Sequence, residues 1–184
     1  MNSLQKTARS EPSIRRLTHH DVQAYAALLL SLNQQDRMER FTMPVSDREA
    51  QGYSMRLFLS NCTVLGAFVE QELVGAVDVG ADECEVADLG IVVAKESRNQ
   101  RIGTKLMAAA IEYCKETGVT DAYFDCFMTN TAMVKLAEAA GFNELCRDRP
   151  STYYRSIDEC EPEAKPNWGG AVVIDFQSRR KLSA

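Results

Sequence analysis

Leu89-Gly90-Ile91-Val92-Val93-Ala94-Lys95-Glu96-Ser97-Arg98-Asn99-Gln100-Arg101-Ile102-Gly103-Thr104-Lys105-Leu106 is the stretch that decides the fold. An apolar strand runs into a polar loop, the loop turns at Gly103, and a helix opens. The first backbone N–H groups of such a helix have no partner inside it. Together with the helix dipole they form an anion site, and a glycine lets a ligand approach closely. Arg98, Arg101 and Lys105 add positive charge beside it. The spacing GxxxxGK[ST] of a nucleotide-triphosphate loop is missing, and so is the dinucleotide pattern GxGxxG. A pyrophosphate held by other means remains open.

Working outward, residues 84–94 read as a strand. Residues 62–69 and 73–79 read as a hairpin before it, rich in Val and Leu and separated by Glu70-Gln71-Glu72. Ile102, Leu106, Ala109, Ala110 and Tyr113 recur at helical spacing until Gly118 ends the helix. A strand at 119–127, a helix at 131–140 stopped by Gly141, and a last hairpin from 142–147 and 152–157 follow. Upstream, residues 13–18 read as a first strand. Thr18 three residues before Asp21 suggests a capped helix over 19–33, with Val22, Tyr25, Ala26, Leu29 and Leu32 on one face. Residues 33–47 read as a polar loop, and Asp47 starts a second helix. The pattern is neither a regular βαβ repeat nor all-β, so it predicts a mixed α/β (α+β) domain around one central sheet with about four helices. Residues 1–12 read as a flexible leader, 13–157 as the domain, and 158–184 as a linker-like segment with a basic tail, including an edge strand at 171–176.

Bulk properties agree with one soluble domain. The chain has 184 residues, 45% of them hydrophobic and 26% charged. No apolar run approaches the roughly 20 residues of a membrane span, and no apolar signal core is visible at the N-terminus. A cytoplasmic protein is expected. The net charge of −5 argues against nucleic acid as a partner. The six cysteines, Cys62, Cys84, Cys114, Cys126, Cys146 and Cys160, include no CxxC pair, and His19 and His20 are adjacent, so no metal is expected.

Arg98-Asn99-Gln100-Arg101-Ile102-Gly103 resembles the acetyl-CoA signature [RQ]-x-x-G-x-[GA] of GNAT acetyltransferases, with Arg101 where the first glycine is usual. Residues 130–142, an Asn-led helix ending in Gly-Phe, resemble the family's second segment, and residues 14–21 its opening strand and helix. The resemblance covers roughly residues 13–157. It implies a mostly antiparallel sheet splayed at the cofactor site. It also implies acetyl-CoA as cosubstrate, contacted by Ile91, Val92, Val93, Arg98, Asn99, Gln100, Arg101, Ile102, Gly103, Thr104, Asn130 and Met133. Asn130 is equally well suited to cap its own helix.

In this family the pantetheine arm lies along the strand that precedes the turn. Asp88 stands five residues before Val93, roughly 16 Å at about 3.3 Å per residue, which is comparable to the arm's length. Asp88 is therefore the candidate general base and Glu85 the second candidate; both also read simply as polar residues at a strand end. Ala137 occupies the position where many relatives carry a tyrosine acid, leaving Tyr123 or Cys126 as substitutes. Ala137 and the segment Asp36-Arg37-Met38-Glu39-Arg40-Phe41 resemble the catalytic domains of bacterial protein-lysine acetyltransferases. The acceptor implied is a small amine or a protein lysine, and a homodimer is left open. A non-catalytic acyl-CoA-binding module is the alternative.

Overall fold

The computed structural model describes residues 11–81, 85–147 and 149–157. The leader up to residue 10, the segment 158–184, Cys84 and Cys160 lie outside the described residues. The elements run β1 (Ser13–Arg16), α1 (Val22–Leu30), α2 (Gln34–Phe41), α3 (Asp47–Leu59), β2 (Thr63–Val69), β3 (Glu72–Ala81), β4 (Val86–Val93), α4 (Ile102–Glu116), β5 (Asp121–Cys126), α5 (Thr131–Ala139), β6 (Asn143–Cys146) and β7 (Ser151–Ser156). Seven strands form one sheet in the order β1-β2-β3-β4-β5-β7-β6, flanked by five helices rather than about four.

The additional helix is α2, which falls inside the stretch expected to be a loop. Its sequence QQDRMERF buries only Arg37, so no apolar stripe announces it. Local polar contacts hold it instead. The Asn33 side chain accepts from the Asp36 amide at 2.8 Å, and Arg37 pairs with Asp47 at 2.5 Å while donating to the Leu30 carbonyl at 3.1 Å. The helix expected over 19–33 is shorter, because a single tight turn at His19–Asp21 precedes α1. Asp21 organises that turn, accepting from the Thr18 amide at 2.8 Å and pairing with Arg15 at 2.7 Å. The Arg15 hydrogen bond, opposed by partial burial and helped by Thr18, holds the Asp21 carboxyl well below the usual carboxylate range.

Every strand pairing is antiparallel except β4 with β5. Helix α4 packs on one sheet face through Ile102, Leu106, Met107, Ala110 and Cys114, against Leu65, Val77, Val79 and Leu89. Helices α1 and α3 cover the other face, with Tyr25, Leu28, Leu29 and Leu57 against Val64, Ala76 and Val92. The alternation of β4 explains the division, since Leu89 joins the α4 side and Val92 the opposite side.

The parallel pairing of β4 and β5 is brief. It comprises Val86↔Asp121, Ala87↔Ala122 and Asp88↔Tyr123. Beyond Asp88 the strands part. Toward its other neighbour β4 stays paired along its length, from Ala87↔Ala81 to Val93↔Gly75. A fork therefore opens between the last five residues of β4 and the end of β5.

After β4 the chain turns through two left-handed residues, Asn99 and Arg101, both at φ 60°. Arg101 is the residue immediately before α4. A residue with a Cβ held there costs on the order of 1–3 kcal/mol, which accounts for glycine being usual at this place in the signature. Arg101→Gly is expected to leave the melting temperature unchanged or slightly raised, since relief of strain offsets the glycine's extra chain entropy. Arg101→Val, whose branched side chain tolerates φ > 0 worst, is expected to lower stability by about 1–2 kcal/mol in a urea melt. Equal stability of the two variants would contradict a left-handed Arg101.

Candidate active site

The fork opens into a cleft of about 670 Å³. Leu89 to Val93 form one wall, Phe124 to Cys126 the other, and the first turn of α4 with the preceding loop closes one end. Helix α2 contributes Asp36, Glu39 and Arg40, and α5 contributes Met133 and Leu136.

At the closed end the backbone amides of Ile102, Gly103 and Thr104 begin α4, and no side chain caps them; the first intrahelical bond into the preceding residue is Lys105 N–H to the Arg101 carbonyl at 3.0 Å. A Cβ on Gly103 would meet only Leu136 Cδ2 at 3.6 Å and Val93 Cγ2 at 3.9 Å, ordinary contact distances. The protein interior therefore does not demand glycine there, and the space in front of the amides stays open. Arg98 donates to the Val93 carbonyl at 3.3 Å and pairs with Asp36 of α2 at 3.0 Å. Lys105 pairs with Glu11 at 3.6 Å.

Of the twelve residues expected to contact the cofactor, eleven line the cleft. Gln100 does not; its amide nitrogen folds back onto the Glu96 carbonyl at 3.1 Å. Asn130 lines the cleft and also caps α5, its side-chain oxygen accepting from the Met133 amide at 3.1 Å. The two roles foreseen for it are thus compatible geometrically.

Asp88 sits at the apex of the fork, exposed, opposite Tyr123, and the cleft lining begins one residue further at Leu89. Glu85 belongs to the turn before β4 rather than to the strand. It is exposed, with φ 60°, and its carbonyl accepts from Thr120 N–H at 2.9 Å. The expected tyrosine position, Ala137, is fully buried in the core. Tyr123 is half-buried beside Asp88 and does not reach the cleft lining, whereas Cys126 does. Burial, with smaller contributions from Asp125 and Glu144, pushes the Cys126 thiol up to about 11.

The composition of the α2 side of the cleft was not legible beforehand. Asp78 on β3, opposite Gly90, is buried at 6% exposure. It accepts from Tyr25 Oη at 2.9 Å, from Tyr53 Oη at 2.6 Å and from Arg40 Nη2 at 2.6 Å. Burial, reinforced by the Asp78 charge, pushes both phenols up, so both serve as donors. Gly90 inside a strand is the one sequence signal that could have pointed here, because such glycines often mark a close approach. A Cβ on it would lie 2.1 Å from Arg40 Nη2.

The thiols give a direct check on this geometry. Cys126 is 1% exposed with a raised pKa, while Cys146 is exposed. At pH 7.5 iodoacetamide is expected to modify Cys146 at least about tenfold faster than Cys126, which becomes reactive only on unfolding. Peptide mapping that finds Cys126 alkylated first would contradict the buried thiol.

Comparison with known proteins bears on the whole arrangement. Over 83 residues the chain is 34% identical to the Xenopus laevis protein named "Probable N-acetyltransferase camello", a match covering 42% of this chain and 37% of that protein. The chain thus spans well under half the length of that curated relative. Among solved structures, the GNAT domain of S. lividans PAT superimposes with a TM-score of 0.71 at 14% identity, over 79% of this chain and 90% of that one. The PaiA N-acetyltransferase from Thermoplasma acidophilum, solved in complex with coenzyme A, has a TM-score of 0.63 at 15% identity, over 80% and 99%. At such identities the two structures share the fold. Residues 28–142, from α1 through the forked strands to the end of α5, match the model of the Acetyltransferase (GNAT) family, and the chain belongs to that family.

Proposed function

We propose that the protein transfers an acetyl group from acetyl-CoA to a primary amine by direct attack of the amine on the thioester. The observation carrying this reading is the fork, with unpaired strand edges along a cleft that ends at the uncapped N-terminus of α4. An extended pantetheine arm can run along β4 as an additional strand. Its pyrophosphate then meets the amides of Ile102, Gly103 and Thr104, with Arg98, Asn99 and Arg101 beside it. The coenzyme A found with the Thermoplasma relative supports the assignment. Asn130 and Met133 face the arm from α5, and Ile91 to Val93 offer it backbone groups. Nothing among the described residues forms a cluster of metal ligands, and the donor set described here suits a phosphate ester.

The chemistry needs an amine without its extra proton, and a free alkylamine has a pKa of about 10.4. Asp88 is the proposed base, directly or through a water, because it stands where the strands part, roughly 16 Å from Val93 along the strand. Glu85 remains the second carboxylate in reach of the same end. The nitrogen lone pair forms the N–C bond, the C–S bond breaks with its electron pair on sulfur, and the amine proton passes to the base. Cys126 borders the cleft but is 1% exposed, and a thiolate leaves without a proton donor.

The acceptor is proposed as a small amine or a protein lysine side chain. The S. lividans PAT domain shares the fold and does not distinguish the two acceptors. The relatives give no support to a purely non-catalytic role. No helix among the described residues is long and apolar enough to cross a membrane, in keeping with the proposed cytoplasmic setting.

Two variants test the reading. Gly103→Ala fills open space and raises helix propensity, so stability is expected to hold or rise by up to about 1 kcal/mol. Its affinity for acetyl-CoA in calorimetry is nevertheless expected to fall, and Gly103→Glu is expected to abolish binding. Unaltered affinity in both would remove the turn as the phosphate site. Asp88→Asn is expected to leave cofactor affinity nearly intact and to lower the rate most at low pH, where amine deprotonation is hardest. An unchanged pH–rate profile would remove Asp88 as the base.

A further inference from the structure

We infer that Arg40 is a catalytic residue, its Nη1 donating a hydrogen bond to the thioester carbonyl oxygen and to the oxyanion that forms from it. The inference rests on the acetyl-CoA reading above and assigns a source of oxyanion stabilisation on the α2 side of the cleft.

Arg40 is a buried cation, its side chain 9% exposed. All its hydrogen bonds leave from one nitrogen. Nη2 donates to both oxygens of Asp78 at 2.6 Å and to Tyr53 at 3.2 Å. Nε is sealed from solvent without a partner. Nη1 has no acceptor among the described residues, yet it is not one of the sealed atoms, and Arg40 lines the cleft. Nη1 is thus a donor of a buried cation that reaches the cleft with no protein acceptor among the described residues, which leaves it available to a ligand.

Its position narrows the ligand. The guanidinium lies across Gly90, so that a Cβ there would meet Nη2, Cζ and Nη1 at 2.1, 2.4 and 2.6 Å. Gly90 is two residues beyond Asp88, on the same sheet face and roughly 7 Å along β4. This is where the strands have just parted and the acyl end of an arm lying along β4 would sit. The geometry of the donor narrows it further. A carboxylate on the acceptor would favour the two-pronged edge of a guanidinium. Nη2 is taken by Asp78 and Tyr53 and Nε is sealed, so no two-pronged edge is free. A single nitrogen remains, and it suits a single oxygen.

The role is balanced chemically. As the amine nitrogen attacks, the carbonyl π pair moves onto oxygen and strengthens its bond from Nη1. On collapse that pair returns, the C–S bond breaks with its electrons on sulfur, and the amine proton goes to the base. Asp78 neutralises the net charge of the pair, so the guanidinium does not repel a cationic amine at long range, while Tyr25 and Tyr53 hold the carboxylate in place.

The test compares acetyl-CoA with S-ethyl-coenzyme A, a thioether that lacks only the carbonyl oxygen. In calorimetry the wild-type protein is expected to prefer acetyl-CoA by about tenfold, the magnitude of one hydrogen bond to a charged group. Arg40→Gln is expected to lose that preference with S-ethyl-coenzyme A affinity unchanged, and to lower kcat by about a hundredfold. The 13C=O stretch of bound acetyl-CoA is expected to shift back toward its solution value in the variant. If Arg40→Gln does not fold, Arg40→Gln/Asp78→Asn leaves no lone buried charge and replaces it. A preference retained in the variant overturns the proposal, as does an effect confined to the KM of the amine. If the wild-type protein binds neither compound at millimolar concentration, the cofactor reading itself fails.

Discussion

Three residue pairs between β4 and β5 determine where a ligand can enter this molecule. The sheet is continuous everywhere else, so its backbone groups are satisfied strand by strand. Beyond Asp88↔Tyr123 that accounting stops on two facing edges. A gap of this kind inside a sheet is tolerable only if water or a ligand completes it. A chain-like ligand able to take the place of a strand completes it best. The parallel sense of the pairing matters as well. Parallel neighbours require a crossover, and here α4 is that crossover, which delivers its N-terminus to the far end of the gap. On the proposed reading, one topological feature therefore supplies both the slot and the anion site.

The α2 side of the cleft is built on a different principle. α2 carries almost no apolar surface inward, and its attachment is electrostatic. Arg40 joins it to Asp78 on β3, Arg37 to Asp47 at the start of α3, and Asp36 to Arg98 in the turn before α4. These contacts are unequal. The Arg98 partner is 40% exposed, so that bridge is worth at most about 1 kcal/mol. The Arg40–Asp78 pair is buried and doubly supported by tyrosines, and loss of one partner there would leave a lone charge in a low dielectric.

How much of this was readable depends on which forces hold each part. β4, the turn and α4 were legible because hydrophobic periodicity and a local phosphate-binding pattern both lie within one stretch of sequence. Eleven of the expected cofactor residues consequently line the cleft. α2 was taken for a loop because its sequence buries a single arginine. Its Asn33 cap, three residues before the amide it accepts from, was the only local sign. The Tyr25, Arg40, Tyr53 and Asp78 cluster could not be read at all. Its members come from four elements, spread over fifty residues, and each alone looks like an ordinary core or surface residue. Asp88 ranks ahead of Glu85 in the sequence, and the structure puts Asp88 in β4 at the fork and Glu85 in the left-handed turn before it.

The unequal anchoring of α2 has a mechanical consequence. Asp36 and Arg40 are four residues apart and share a helix face; one touches the phosphate end of the cleft and the other the fork. The buried pair fixes the fork end, while the exposed bridge fixes the phosphate end only weakly and is screened by salt. On the proposed reading, an arriving pyrophosphate would compete with the Asp36 carboxylate for the same Arg98 guanidinium, and two anions cannot both satisfy it fully. Displacement of Asp36 would leave the N-terminal end of α2 held by the Asn33 cap and Arg37, and would not disturb Arg40. On the proposed acetyl-CoA reading, the fold thus places its weaker contact at the phosphate end of the cleft and its buried contact at the end where the acyl group would lie.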